Sequence, residues 1–381
     1  MEVDQSRLAL DDASEDIGDA DIEMLTEMAR IRRGTRDGHL RFPLNLEFDF
    51  TRLASLLGVS WTTVVSPEQA GRVELGSKAF EREVLAFFAR LYDAKPAEVT
   101  GYAASGGGGG TEANMWGCAQ GRARFPDAPL YFSEHAHFGI PRIADALRMQ
   151  PIRIPTLRDG RMDPEALHQA CARNPGRGAV VAATIGTTMF GAIDEIPVIR
   201  AATHPAGGTH IHADAALGGL IVPFAPNHIP WAFHAGTDSI AVSIHKMIGL
   251  PMPSAVALTW RHQVDAVSSV EYVGVDDTLL SCSRGGLAVL LTWYALRRLG
   301  RQGLAARARH CLQLSEYALD RLSDRGVRPW RNPASTTVVF DRPREAVTRR
   351  WNLAVEGRYA HLVVMPHVTA ASIDLLCRDL N

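Results

Sequence analysis

The chain has 381 residues, 46% of them hydrophobic and 22% charged, a balance that suits one large domain with ample core plus a smaller one. A formal net charge of -2 offers nucleic acid or an anionic membrane surface no basic face to bind. Five scattered cysteines (Cys118, Cys171, Cys282, Cys311 and Cys377) without C-x-x-C spacing argue against a disulfide framework or structural zinc, and for a reducing cytoplasm.

The acidic opening "MEVDQSRLALDDASEDIGDADIE" has no signal-peptide character and reads as a fraying segment or the start of a solvated helix. No apolar run reaches bilayer length. A basic stretch then leads to Pro43 and a loop, and "FEREVLAFFARLY" (80–92) carries the apolar spacing of an amphipathic helix.

Glycines 106–110 precede Thr111, Glu112 and a helix-like segment. Successive backbone N–H groups at a helix N-terminus form an anion cradle, to which a hydroxyl adds a donor. The run matches neither G-x-G-x-x-G nor a P-loop ending, so the ligand it fits is a phosphorylated group other than a nucleotide; a flexible surface linker is the competing reading.

From residue 128 the pattern becomes regular. "APLYFS", "GAVVAATIG", "THIHADAA", "SIAVSIH" and "SAVALTW" read as short strands, separated by helix-like segments such as "IPRIADALRMQ" and "DPEALHQACAR". The alternation predicts an α/β fold: a mainly parallel central sheet with helices on both faces. "GGLAVLLTWYALRRLG" (285–300) predicts a long apolar helix, after which "STTVVFD" and "HLVVMP" predict a smaller α+β unit. The expected division is an N-terminal segment 1–50, a large domain 51–283 and a small domain 284–381.

Chemistry gathers at the strand ends. Lys246 follows the buried run "SIAVSI", and lysine is almost never buried unless paired or put to chemical use. Asp214 ends "THIHAD", where a carboxylate needs a cation or a strong donor; capping the next helix is its bland alternative. His135 and His137 lie at a strand-to-helix turn, and Thr187, Thr188 and Asp194 sit where turn chemistry alone accounts for them. His210 and His212 alternate on a strand without a third clustered ligand, so a packed or exposed pair is favoured over a metal site. Taken in order, a phosphate cradle, a histidine, a threonine pair, an aspartate and a lysine supply what pyridoxal phosphate needs.

The motifs "YFSEHAHFGI", "IGTTMFGAID", "HIHADAALGG", "DSIAVSIHKMIG", "SCSRGGLAVLLTWYALRRLG" and "AHLVVMPH" resemble the pyridoxal-phosphate-dependent group II amino-acid decarboxylases, in their histidine decarboxylase and plant serine decarboxylase branch, over roughly residues 40–381. The resemblance implies a fold type I (aspartate aminotransferase-like) homodimer with shared active sites, acting on a small amino acid to release an amine and carbon dioxide. It implies that Lys246 forms the Schiff base, Asp214 pairs with the pyridinium, and His137 and Ala216 cover the two ring faces. Thr188 would sit beside the ring, Gly110, Thr111, Ser243 and His245 around the phosphate, and Ser283 would reach it from a neighbouring subunit. Tyr272, in "VEYVGVDDT", would be the proton donor on a mobile loop.

The chain departs from that pattern in three places. The glycine loop is longer, "TVVSP" (63–67) replaces the branch's Asn-x-Gly-Asp-Pro, and Leu287 stands where the branch has histidine. The last two changes favour a substrate smaller or less polar than histidine. Decarboxylative oxidation to an aldehyde, carbon–carbon bond formation, and an inactive decarboxylase-like protein remain the alternatives.

Overall fold

The computed structural model describes residues 18–34, 40, 43–68, 76–105, 108–264, 268–270 and 275–380. The N-terminal part holds α1 (Asp19–Gly34), β1 (Thr62–Val64), α2 (Lys78–Leu91) and β2 (Val99–Ser105). The regular α/β stretch then runs α3 (Gly109–Arg124), β3 (Leu130–Ser133), α4 (Gly139–Ala146), β4 (Pro151–Ile154), α5 (Pro164–Ala172), β5 (Ala179–Thr184) and α6 (Ile196–Ala202). It continues through β6 (Thr209–Asp214), β7 (Ser239–Ser243), α7 (Ile244–Met247) and β8 (Ser254–Trp260). Two short hairpin strands, β9 (Ser268–Val270) and β10 (Val275–Asp277), lead to β11 (Ser283–Gly285) and α8 (Gly286–Ser323). The chain closes with β12 (Thr337–Asp341), α9 (Glu345–Arg350), β13 (Ala354–Glu356), β14 (Tyr359–Val363) and α10 (Ala370–Asp379).

The central sheet has seven strands in the order β2-β8-β7-β6-β5-β3-β4. Strands β4, β3, β5, β6 and β7 are parallel, and β8 runs against both β7 and β2. Every residue of β3, β5 and β7 is buried, as expected for strands covered by helices on both faces. The expected mainly parallel α/β fold is therefore present. Two of its strands, β2 and β4, have no counterpart among the strands read from the sequence. In β2, Gly101 lies against the backbone of Ala257 so closely that a Cβ would strike its carbonyl. The close approach of two strands thus demands the residue that weakens a strand signal.

Helix α3 crosses the inner sheet on a face of small residues. A Cβ on Gly117 would collide with the His212 ring, and one on Gly121 would lie 2.8 Å from Val180 and 2.9 Å from His210. Helix α8 extends well past the predicted 285–300, turning at Gly300, whose φ of 59° suits a residue without a Cβ. Beyond it, β12, β14 and β13 form a three-stranded antiparallel sheet. The segment before residue 51 packs on α8: Phe48 and Phe50 stack at 4.5 Å, and Arg298 and Arg307 lie over the Phe48 ring.

One buried ion pair ties the edge of the sheet together. Arg284 on β11 pairs with Glu81 on α2, their side chains 1% and 0% exposed. Arg284 also donates to the Val65 carbonyl at 2.9 Å, and Glu81 accepts from the Ala103 amide at 2.8 Å. Removing one partner strands the other charge away from water. Glu81→Ala is expected to cost about 3–5 kcal/mol in chemical denaturation, whereas the double variant Glu81→Leu/Arg284→Met should recover most of it. A loss below about 1 kcal/mol for the single variant would show that the pair is not the tie described.

Candidate active site

The C-terminal ends of the parallel strands open into a cavity of about 190 Å³, the place where open α/β sheets hold ligands. Adjacent strands β6 and β7 deliver its two charged groups. Asp214 is the last residue of β6, 5% exposed, and its Oδ1 accepts from the Ala216 amide at 3.2 Å. Lys246 lies three residues beyond β7, in the single turn α7. Both line the cavity. Burial pushes the Lys246 ammonium below the usual lysine range, and the charge of Asp214 pulls it partly back.

The turn that carries Lys246 is held from outside the sheet. The Asn45 amide N–H donates to the Lys246 carbonyl at 3.0 Å, and Asn45 Nδ2 donates to the carbonyls of Met247 and Ile248 at 3.0 and 3.3 Å. Asn45 thus satisfies three carbonyls at the end of a one-turn helix. Its position in the lead-in loop gave the sequence reading no reason to single it out.

Opposite the lysine, Gly108, Gly109, Gly110 and Thr111 line the cavity at the start of α3. Gly109 has a φ of +47°, and a Cβ there would press on Pro253 at 3.3 Å. A Cβ on Gly110 would stand 2.6 Å from Ser243 Oγ. The hollow between α3 and the β7–α7 turn therefore exists because those side chains are absent. Gly106 and Gly107, the first two of the glycine run, lie outside the described residues.

Ser243 and His245 form the far wall of that hollow. His245 is anchored through Nδ1 to the Ser254 backbone, 2.9 Å from its carbonyl and 3.1 Å from its amide. Burial lowers its pKa, a tendency that the Ser254 contact offsets and the Lys246 charge reinforces. His137, Thr188 and Ala216 complete the predicted lining. His137 Nδ1 accepts from the Gly139 amide at 3.1 Å, which fixes its ring at the start of α4. Burial holds His137 below the usual histidine range, with Asp214 raising it and Lys246 lowering it.

Two predicted site residues are not among the lining. Tyr272 lies outside the described residues. Ser283 is exposed at the start of β11, paired with Val64 across an antiparallel ribbon and away from the cavity of its own chain. Conversely, Asn114, Thr184, Gly186 and Pro253 line the cavity although the sequence reading passed over them. Asn114 follows Thr111 by one helical turn, so the helix period alone placed it on the same face. Asp194 proves structural: it accepts from the amides of Met162 at 2.7 Å and Thr184 at 2.8 Å, and burial pushes its carboxyl up to about 6. His210 and His212 are packed, each bonded to Ser239 Oγ at 2.9 Å.

The residues present fit pyridoxal phosphate. A helix N-terminus and two hydroxyls suit a phosphate, a carboxylate suits a ring nitrogen, and an amine with lowered proton affinity suits an aldehyde. Thr184 Oγ1 adds a buried polar atom with no hydrogen-bond partner among the described residues, on the wall of the same cavity. An orphaned hydroxyl facing a cavity is what a bound polar group would satisfy.

Comparison with known proteins agrees with this chemistry. Residues 122–340 match the pyridoxal-dependent decarboxylase conserved domain. A histidine decarboxylase of Vibrio campbellii is 34% identical over 370 residues, 96% of this chain and 95% of that protein. Serine decarboxylase 1 of Oryza sativa subsp. japonica is 35% identical over 375 residues, 96% of this chain and 77% of that protein. Among solved structures, L-methionine decarboxylase from Streptomyces has a TM-score of 0.87 at 23% identity, covering 100% of this chain and 98% of that one. A Burkholderia pseudomallei sphingosine-1-phosphate lyase has 0.79 at 20%, covering 98% and 92%. At such identities the two structures show the shared fold type I architecture alone. The family match and the relatives above 30% identity carry more: the chain belongs to the pyridoxal-dependent decarboxylases, in their histidine and serine decarboxylase-like branch, and is a pyridoxal-phosphate-dependent amino-acid carboxy-lyase.

Proposed function

We propose that the enzyme removes the α-carboxylate of an L-amino acid whose side chain is smaller or less polar than that of histidine. The observation that carries the site assignment is the meeting of Lys246, Asp214 and the Gly109–Thr111 cradle in one cavity. Bound pyridoxal phosphate supplies an electrophilic aldehyde and an electron-withdrawing ring.

Each side chain has a part in this reading. Gly110, Thr111, Ser243 and His245 bind the phosphate. With the cofactor bound, Asp214 would hold the proton on the ring nitrogen, His137 and Ala216 would cover the two ring faces, and Thr188 would sit beside the ring. Lys246 would hold the cofactor covalently, and burial, which lowers its pKa, favours the unprotonated, nucleophilic amine. Tyr272 delivers the proton to Cα once carbon dioxide has left.

The enzyme works as a homodimer in the cytoplasm in this reading. All five cysteines are free, four of them buried, as suits a reducing compartment. Among the described residues no helix is long and apolar enough to cross a membrane. The dimer reading rests on the family resemblance; in this chain the β1–β11 ribbon pairs Val64 with exposed Ser283 and runs straight into α8, where Leu287 lies. The two departures from the histidine-decarboxylase pattern and the serine expected to reach a neighbour's phosphate therefore share one small element. Placed against a second subunit's cavity, that element presents Val64 and Leu287 to the substrate. An imidazole there would leave donors unpaired at a cost of about 1–3 kcal/mol.

A panel of amino acids assayed for released carbon dioxide and amine should favour small or aliphatic side chains over histidine by about tenfold or more, the scale of that cost. Histidine as the best substrate would refute the substrate reading. Tyr272→Phe keeps the ring and removes only the donor. Amine formation is expected to fall by about 10²-fold or more, with a rising share of aldehyde, while the cofactor stays bound. Amine formation close to wild type would assign the proton to another group, His137 being the next candidate.

A further inference from the structure

A chain of neutral hydrogen bonds runs from the interior of the sheet to the cofactor cavity and ends on Asn114. Strand β6 carries His210, His212 and Asp214 at alternate positions, so all three share the sheet face covered by α3. Asn114 on α3 is 4% exposed, lines the same cavity as Asp214, and its Oδ1 lies 3.0 Å from His212 Nε2. On the other edge of that ring, His212 Nδ1 lies 2.9 Å from Ser239 Oγ, which is also 2.9 Å from His210 Nε2.

The direction of each bond follows from which atoms can donate. Asn114 Oδ1 is a carbonyl oxygen and only accepts, so His212 Nε2 carries a proton. Burial holds His212 down to about 3, so the ring is neutral and its Nδ1 is an acceptor. Of the two acceptors within reach of the Ser239 hydroxyl, His212 Nδ1 at 2.9 Å and the Gly117 carbonyl at 3.4 Å, the nearer takes its proton, and its oxygen accepts in turn from His210 Nε2. The relay consumes the oxygen of the Asn114 amide and leaves its nitrogen. Among the described residues that nitrogen makes no hydrogen bond, so it offers the cavity two N–H donors and no acceptor.

Gly117 is what permits this contact. It falls one turn beyond Asn114 on the same face of α3, and any Cβ there would displace the His212 ring. A helix docked on a histidine through a glycine, with a buried amide fixed at the next turn, is costly unless the amide has a set orientation to keep.

We propose that Asn114 is a positioning residue for Asp214: His212 locks its amide so that N–H groups, never the carbonyl oxygen, meet the Asp214 carboxylate when the cofactor is seated. With Oδ1 on the Ala216 amide, the carboxylate then aims its other oxygen at the ring nitrogen. This rests on reading Asp214 as the partner of that nitrogen. A freely turning asparagine would spend part of its time with its oxygen against Asp214, repelling it and weakening cofactor binding.

The test is cofactor affinity measured by fluorescence titration of the apo-protein with pyridoxal phosphate, joined to histidine tautomers read by ¹H–¹⁵N correlation on [¹⁵N]histidine-labelled apo-protein. His212 should be neutral with its proton on Nε2 across the working pH range. Asn114→Asp and His212→Leu should each raise the dissociation constant roughly tenfold or more, the scale of a lost hydrogen bond to a charged group. His212→Gln, which keeps an N–H at similar reach, should stay well inside that range. A protonated Nδ1 in the wild-type protein, unchanged affinity in Asn114→Asp, or equal losses in His212→Gln and His212→Leu would each overturn the proposal. Asp214→Asn in the same titration separates the two claims. If it too leaves affinity unchanged, the Asp214 reading itself fails; if it alone weakens binding, only the role of Asn114 and His212 falls.

Discussion

The site depends on holding the cationic Lys246 and the anionic Asp214 in one cavity at the edge of a packed sheet. Burial drives the lysine toward neutrality, and the charge of the aspartate opposes it. Parallel pairing of β6 with β7 makes the juxtaposition a property of the backbone, since both strands end on the same side and Asp214 is in register with Ala241, just before the turn that carries Lys246. Pyridoxal phosphate would suit both groups, its aldehyde taking the amine and its ring nitrogen the carboxylate.

Helix α3 serves both ends of that cavity. Its first turn supplies the glycine cradle, and its second and third turns, through Asn114 and Gly117, press on β6 next to Asp214. Because one rigid helix spans the phosphate end and the aspartate end, the distance between them is set by helix geometry rather than by loop conformation. Asn45 performs a comparable task for the lysine, reaching in from the segment that precedes the large sheet. The supporting contacts thus come from two separate parts of the chain, both distant in sequence from the residues they steady.

What the sequence made legible follows from how local each signal is. Strands β3, β5, β7 and β8 stand out as apolar runs, because burial on both faces leaves little room for polar residues, while β6 shows as the alternation His210, His212, Asp214. Lys246 and Asp214 are conspicuous because each ends such a stretch. Strand β2 was illegible because Gly101 interrupts it and its second half, Ala103–Ser105, is small residues with little strand signal, and β4 because its residues are largely exposed at the sheet's edge. Asn114 and Thr184 went unread for a different reason. Nothing in "TEANMWG" or "AATIG" marks a side chain as facing a cavity until the helix and strand are packed together. Asn45 is further out of reach, its partners lying about two hundred residues away. Ser283 and Tyr272 owe their roles to resemblance alone, and the geometry of this single chain adds nothing to either.

The chain contains three lysines: Lys78, Lys95 and Lys246. Lys78 opens α2 and Lys95 sits on the surface beside Glu98, so neither lines the cavity. Borohydride reduction of the protein reconstituted with pyridoxal phosphate, followed by peptide mapping, is therefore an unusually clean measurement. One cofactor per chain on the peptide that contains Lys246, and none in Lys246→Ala, is the expected result. A label on Lys78 or Lys95, or no retained cofactor after reduction, would contradict the central claim that the buried lysine is there to hold the aldehyde.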